Sequence, residues 1–182
     1  MIKEYFDLLY ENGNKTGKIK LRSEVHRDGD WHRAVHIWIL NNKGDILLQR
    51  RCATKDSNPN MLYINAGHVT SGDDSLNTAV RELKEELNLE IKKEDLKFIT
   101  TLKKSSKYTP TFVNNEFDDI YVLKTDKSVN DMKFQEEEIS EILFVPYKDF
   151  KNMVDNRQPD LLMNLEEFKI IFDLFDKEFD VK

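Results

Sequence analysis

The chain has 182 residues, of which 39% are apolar and 34% charged, and it holds only six glycines and four prolines; that mixture excludes collagen-like and low-complexity chains and suits a packed core. Its formal net charge of −6 argues against a duplex nucleic acid partner, because such binding rests on neutralising phosphates. No apolar run approaches the roughly 20 residues of a bilayer span, and the single cysteine, Cys52, excludes an intrachain disulfide and a cysteine zinc site. The opening MIKEYFDLLYENGNK carries acids where a secretory leader would be basic and then apolar, so a cytoplasmic chain without membrane association is expected.

Taken in order, Tyr5 to Tyr10 and Lys18 to Leu21 flank the turn pair Asn12-Gly13 and predict an N-terminal hairpin. RAVHIWIL at 33–40 is β-branched and aromatic and reads as a buried strand. Asn41 to Asp45 reads as a turn, with Ile46 to Gln49 returning as the partner strand. A basic, loop-like stretch follows from Arg50 to Asn60. Further strands are expected at Phe98 to Leu102, Phe117 to Leu123 and Ile142 to Val145. Helices are expected at Tyr147 to Val154 and Leu161 to Phe175. With no repeat and no Pro/Gly/Ser linker, one α+β domain over 1–182 is the simplest reading. Its parts are an N-terminal hairpin extension at 1–30 and a C-terminal helix at 159–178.

The chemistry concentrates at 67–89, GHVTSGDDSLNTAVRELKEELNL. Leu76, Ala79, Val80, Leu83 and Leu87 form one apolar stripe of a helix over 74–88. With Leu76 at zero and about 100° per residue, Glu85, Glu82 and Glu86 fall near 180°, 240° and 280°. Three carboxylates thus share an arc of about 100° beside the stripe. Like charges at these spacings destabilise a helix, whereas a hard divalent cation reverses the sign. Taken alone, a string such as RELKEEL is common on solvated helix faces.

The wider spacing resembles the Nudix hydrolase family: Gly67, Asp73 in the first acid position, then Arg81-Glu82-Leu83-Lys84-Glu85-Glu86-Leu87-Asn88-Leu89. Two positions depart from that pattern. Asp73 stands for Glu, one methylene shorter and with a weaker reach to Arg81, and Asn88 stands for Gly at the helix end. Asn is the next-best left-handed cap, so the turn is expected to survive. The resemblance implies an α/β/α sandwich with a mixed central sheet and a loop–helix–loop motif. It also implies Mg²⁺ or Mn²⁺ on Glu82, Glu85 and Glu86 with the Gly67 carbonyl, and hydrolysis of a nucleoside diphosphate linked to another group. Arg81 is placed to hold the motif's own acids, and Glu85 or Glu138 is a candidate general base.

All four histidines lie between His26 and His68. His32, Ala34 and His36 share one strand face. The stretch HRDGDWHRAVHIWILNNKGDILLQRRCATKDSNP with AGHVTSGD resembles type I isopentenyl-diphosphate isomerase and its hydrolase cousins. That resemblance puts His26, His32, His68, Glu86 and Glu116 in metal-holding positions, His26 in the loosest register, and matches Arg51 and Lys55 to the diphosphate-binding bases. The isomerase's catalytic cysteine is replaced by Ala66, which has no proton to exchange. Hydrolysis is therefore expected over isomerisation, with a non-catalytic nucleotide-binding module as the reading from another class. Trp31, Tyr108, Phe112 and Phe117 are aromatics that could stack on a base, or pack in the core. The expected partner is a small-molecule diphosphate; the oligomeric state stays open, a homodimer among the options.

Overall fold

The computed structural model describes residues 3–55 and 57–178. The anticipated hairpin is β1 (Tyr5–Leu9) with β2 (Lys15–Leu21), turned at Gly13, whose φ of 84° suits glycine. A seven-residue helix, α1 (Arg22–Asp28), follows and was not expected from the sequence. It stops at Gly29, left-handed at φ 69°, and carries His26 on its buried side.

The longest apolar strand, β3 (Trp31–Leu40), organises the sheet. It runs parallel to β8 (Phe112–Lys124), from Trp31 opposite Asn115 to Leu40 opposite Lys124. On its other side it pairs antiparallel with β6 (Asn65–His68), Ala34 facing His68 and His36 facing Ala66. The expected antiparallel return of β4 (Ile46–Arg51) beside β3 is present but short, the two strands pairing at Leu40 and Ile46. β4 otherwise pairs with β5 (Leu62–Tyr63) and β9 (Ile139–Val145), leaving β3 free to take β6 and β8. β7 (Leu96–Thr109) closes onto β8 as a long antiparallel ribbon, far beyond the expected 98–102.

Two apolar layers cover the sheet. On one face α2 (Ser75–Leu87) sets Ala79, Leu83 and Leu87 against Val35, Ile37, Ile39 and Leu47. Each fully buried leucine there contributes about 1.5–3 kcal/mol. Leu76 and Val80, on the edge of the stripe, are half-buried. On the other face α3 (Tyr147–Asp155) and α4 (Leu165–Glu178) pack Phe150, Phe168 and Phe175 edge-on around Trp38. The α/β/α sandwich with a mixed central sheet is thus observed. α4 starts at Leu165 rather than near 159–161. Leu161 makes a parallel bridge to Leu62, and the Leu162 N–H donates to the Leu62 carbonyl at 2.9 Å, so these apolar residues are held by the sheet.

Candidate active site

A cleft of about 700 Å³ opens on the side of the sheet lined by α1, β6, α2 and the β7–β8 ribbon. α2 delivers its carboxylates there because both of its ends are fixed. Asp74 caps the start, its Oδ1 accepting from Asn77 N–H at 2.8 Å. Asn88 ends it in the left-handed conformation at φ 53°, with Asn88 and Leu89 N–H groups donating to the Lys84 and Leu83 carbonyls. The substitution of Asn for Gly at this position therefore preserves the turn.

Gly67 explains how Glu82 is seated. A Cβ added to Gly67 would lie 2.4 Å from Glu82 Cδ and 2.6 Å from its Oε1, so the glycine leaves the space that this carboxylate occupies. Burial first, then the neighbouring Glu86 charge, push the Glu82 carboxyl up to about 7, against the opposing pull of Arg81. Burial also raises Glu86, which accepts from Asn65 Nδ2 at 3.2 Å. Glu85 differs from its neighbours: it is exposed and ion-paired to Arg81 at 2.9 Å. Arg81 also contacts Glu82 at 2.9 Å, so it ties the motif's own acids together as the sequence suggests. Asp73 makes no ion pair with Arg81 among the described residues; it accepts from Thr78 Oγ1 at 3.3 Å and from the Asp74 N–H at 2.9 Å.

Across the cleft stand Arg51 and Lys55. Arg51 is held by the Ser57 carbonyl at 2.9 Å, and Lys55 is ion-paired with Glu138. Glu82, Glu85, Glu86, Arg51, Lys55 and Glu138 thus line one cavity, whereas Asp73, in the motif's first acid position, lies outside it against a separate pocket.

Beside them is a second cluster. Ligand atoms of His26, His32 and His68 lie within 4.8 Å of one another. Glu116 Oε1 is 3.2 Å from His68 Nε2 and 3.5 Å from His32 Nε2. The His32 Nδ1 lies 3.1 Å from the Asp30 carbonyl, which orients the ring. The Nε2 atoms of all three histidines are buried without a hydrogen-bond partner, as is Asn114 Oδ1. Orphaned nitrogens around a carboxylate are the donor set of a divalent transition metal. Burial and the two neighbouring imidazoles drive His26 down to about 3, which favours the neutral, ligating form. Burial opposes ionisation of Glu116, yet His32 and His68 hold its carboxyl well below the usual range. Phe6 stacks on His32 and His68 at 5.2 and 4.9 Å and fixes the rings. The two clusters share β6, Gly67 facing the acids and His68 the imidazoles.

Of the four aromatics considered for stacking, Tyr108 and Phe112 line the cleft. Trp31 and Phe117 do not: they pack on each other at 5.3 Å under Lys103. Several lining residues carry no motif and were not found from the sequence, notably His36, Tyr63 and Lys104. For His36, burial opposes the charged ring, while the carboxylates of Glu167 and Asp118 raise it to about 9. Only the shared strand face of His32, Ala34 and His36 hinted at its position.

The NUDIX domain model matches residues 30–165, most of the chain and all of this cleft's β3, β6, α2 and β8 walls. The chain belongs to the Nudix hydrolase family. It is 42% identical over 164 residues to Nudix hydrolase 3 of Arabidopsis thaliana, covering 87% of this chain and 21% of that protein, so it spans about a fifth of that relative. It is 30% identical over 161 residues to an uncharacterised Nudix hydrolase of Clostridium acetobutylicum, covering 86% of this chain and 77% of that one. The isopentenyl-diphosphate Delta-isomerase 1 of Photorhabdus laumondii is 27% identical over 83% of this chain and 84% of its own, in line with the branch suggested by the histidine region. A crystal structure from Deinococcus radiodurans shares the fold, with a TM-score of 0.68 at 24% identity over 91% of this chain and 96% of that one. Members of this family are hydrolases that generally need divalent metal ions. No helix among the described residues is long and apolar enough to cross a membrane.

Proposed function

We propose that this chain hydrolyses the diphosphate linkage of a small molecule, a nucleoside diphosphate derivative by family resemblance, with Mg²⁺ or Mn²⁺ held by Glu82, Glu86 and the Gly67 carbonyl and Glu85 at the rim. The observation that carries the reading is the pairing of two buried, mutually repelling carboxylates with two cations in one cleft. A buried repulsive pair costs stability, and a divalent cation removes that cost. When bound, such ions offset the charge of the diphosphate and ease deprotonation of a water.

The chain's own residues supply the rest. Arg51 and Lys55 hold diphosphate oxygens and draw the linkage against the acids. Lys55 turns from Glu138 to the substrate, which frees Glu138 to accept the proton of the attacking water; Glu85 is the alternative acceptor. Water oxygen bonds to phosphorus as the bridging P–O bond breaks. Arg81 is a positioning residue that fixes Glu82 and Glu85. His26, His32, His68 and Glu116 suit a second divalent ion.

The histidine cluster resembles that of the isomerases, and Ala66 separates the two chemistries. Turnover of nucleoside diphosphate derivatives, nucleotide sugars and isoprenoid diphosphates with Mg²⁺ or Mn²⁺ tests the proposal, with phosphate-containing products expected. Isopentenyl diphosphate in deuterated water should take up no carbon-bound deuterium, with either the unmodified protein or Ala66→Cys. Isomerisation by the unmodified protein, or no hydrolysis of any diphosphate with either ion, overturns the reading.

A further inference from the structure

The two buried acids of α2 are seated from behind by β6. Alternate residues of a strand share one face, so Asn65 and Gly67 stand on the side of β6 that meets α2, and Ala66 and His68 on the other. Two residues of strand advance about 6.7 Å and four residues of helix about 6 Å. Glu82 and Glu86, four apart on α2, therefore fall in step with Gly67 and Asn65. Gly67 gives Glu82 its room, and Asn65 gives Glu86 a donor.

Asn65 is fully buried, and Gln49 on β4 nearly so. The Asn65 Nδ2 donates to Glu86 Oε2 at 3.2 Å and to Gln49 Oε1 at 2.9 Å. Its own Oδ1 is buried with no hydrogen-bond partner. Turning the amide over would set that oxygen against the Glu86 carboxylate, so the chemistry fixes the orientation. A buried amide that only packs is satisfied at both ends. Asn65 instead spends its donor on an acid that lines the cleft and leaves its acceptor open. The residues beside the two amides, Leu48 and Ile64, are fully buried and apolar, so packing alone would favour an apolar pair here.

We propose that Asn65 is a positioning residue, which orients the Glu86 carboxylate toward a divalent ion in the cleft, and that Gln49 holds Asn65 in place for that task. The inference rests on the hydrolase reading for the role of Glu86 as a ligand. Carboxylates that hold a metal are themselves held by hydrogen bonds from residues behind them, and losing such a partner costs about 10–100-fold in metal affinity. β6 thus acts as a template for the acids of α2, through a missing side chain at 67 and an amide at 65.

The test is calorimetric titration of the metal-free protein with Mg²⁺, which takes oxygen rather than imidazole ligands and so reports the acid cluster. Asn65→Leu, close in shape and without the N–H groups, should weaken Mg²⁺ binding about tenfold or more. The Mg²⁺ concentration for half-maximal turnover should rise by a similar factor, while KM for the diphosphate at saturating Mg²⁺ stays within about twofold. A merely structural asparagine would lower the Tm and leave the Mg²⁺ affinity of the folded protein unmoved. Gln49→Met, which keeps Asn65 and removes its anchor, should weaken binding several-fold and carries the test if Asn65→Leu does not fold. Mg²⁺ affinity within about threefold of normal in the folded variants, or no Mg²⁺ binding by the unmodified protein, overturns the proposal. Binding needs no turnover, so the two readings fail separately. Hydrolysis with unchanged Mg²⁺ affinity in the variants sinks the positioning role alone; weakened affinity, with no diphosphate hydrolysed by the unmodified protein, sinks the hydrolase reading alone.

Discussion

Gly67→Ala should separate activity from stability. Gly67 is not among the residues with positive φ, so alanine meets no backbone strain there. Its new Cβ would stand 2.4 Å from Glu82 Cδ, whereas ordinary contact begins at 3.4 Å, so the Glu82 carboxylate must retreat by about 1 Å. The obstructed atoms are the far end of a flexible side chain, which can rotate away. Alanine also restricts the unfolded chain, an effect worth about 0.4–1 kcal/mol in favour of folding. The expected Tm is therefore equal to or slightly above that of the unmodified protein. Activity depends on where the carboxylate sits, and a 1 Å misplacement of a reacting constellation costs about 100-fold. Steady-state kinetics on a hydrolysed diphosphate, beside thermal unfolding, gives both numbers. The double variant Gly67→Ala/Glu82→Gln should be no slower than Glu82→Gln alone, because both changes remove one contribution. A turnover within about threefold of normal in Gly67→Ala would refute the claim that the glycine exists to seat Glu82.

Other outcomes follow from the same geometry. Glu86→Gln should lose most turnover while the Tm of the metal-free protein holds or rises, since the change removes a buried like charge; normal turnover contradicts its assigned role. His36 should remain an imidazolium to about pH 9, as read by ¹⁵N NMR of the ring. Because its folded pKa lies above the free value of 6.5, the stability it contributes is complete below pH 6.5 and is lost as pH rises through about 9. The Tm of Glu167→Gln should vary less over that window; equal slopes would contradict the pairing. Titrating Mn²⁺ into the metal-free protein should raise its Tm, and His68→Gln should reduce that rise without abolishing it, because the acid cluster still binds; an unchanged rise argues against the histidine cluster as a site.

The motif helix was legible because its signals are local. The stripe from Leu76 to Leu87, the Asp74 cap and the Asn88 cap all act within a few residues, and the acids inherit their direction from that stripe. The β7–β8 ribbon was read short for a related reason. From Lys103 to Lys107 it is lysine and serine, so only backbone pairing with 113–117 makes it a strand. The β3–β4 turn at Asn41 to Asp45 and its antiparallel return were legible locally, while the pairing beyond Leu40 and Ile46 is decided by distant strands. The polar network behind His36 was out of reach altogether. It joins positions 36, 63, 164 and 167 from three parts of the chain, and its hydrogen bonds exist only after the register is set.

The bond between His36 and Glu167 spans 131 residues of sequence, and Trp38 is tied to the same carboxylate across 129. Closing so long a loop carries an entropic cost, and contacts of this separation form late in folding. Until α4 docks, the sheet must therefore hold an unpaired imidazole at what becomes the cleft wall and an unpaired indole N–H in what becomes the core. Trp38 is fully buried against Phe150 and Phe168 once docking is complete, while Trp31 is only partly covered at the other end of β3. One strand thus carries two native fluorophores in contrasting surroundings, and the emission of Trp38 serves as a clock for the arrival of α4 in a stopped-flow refolding trace.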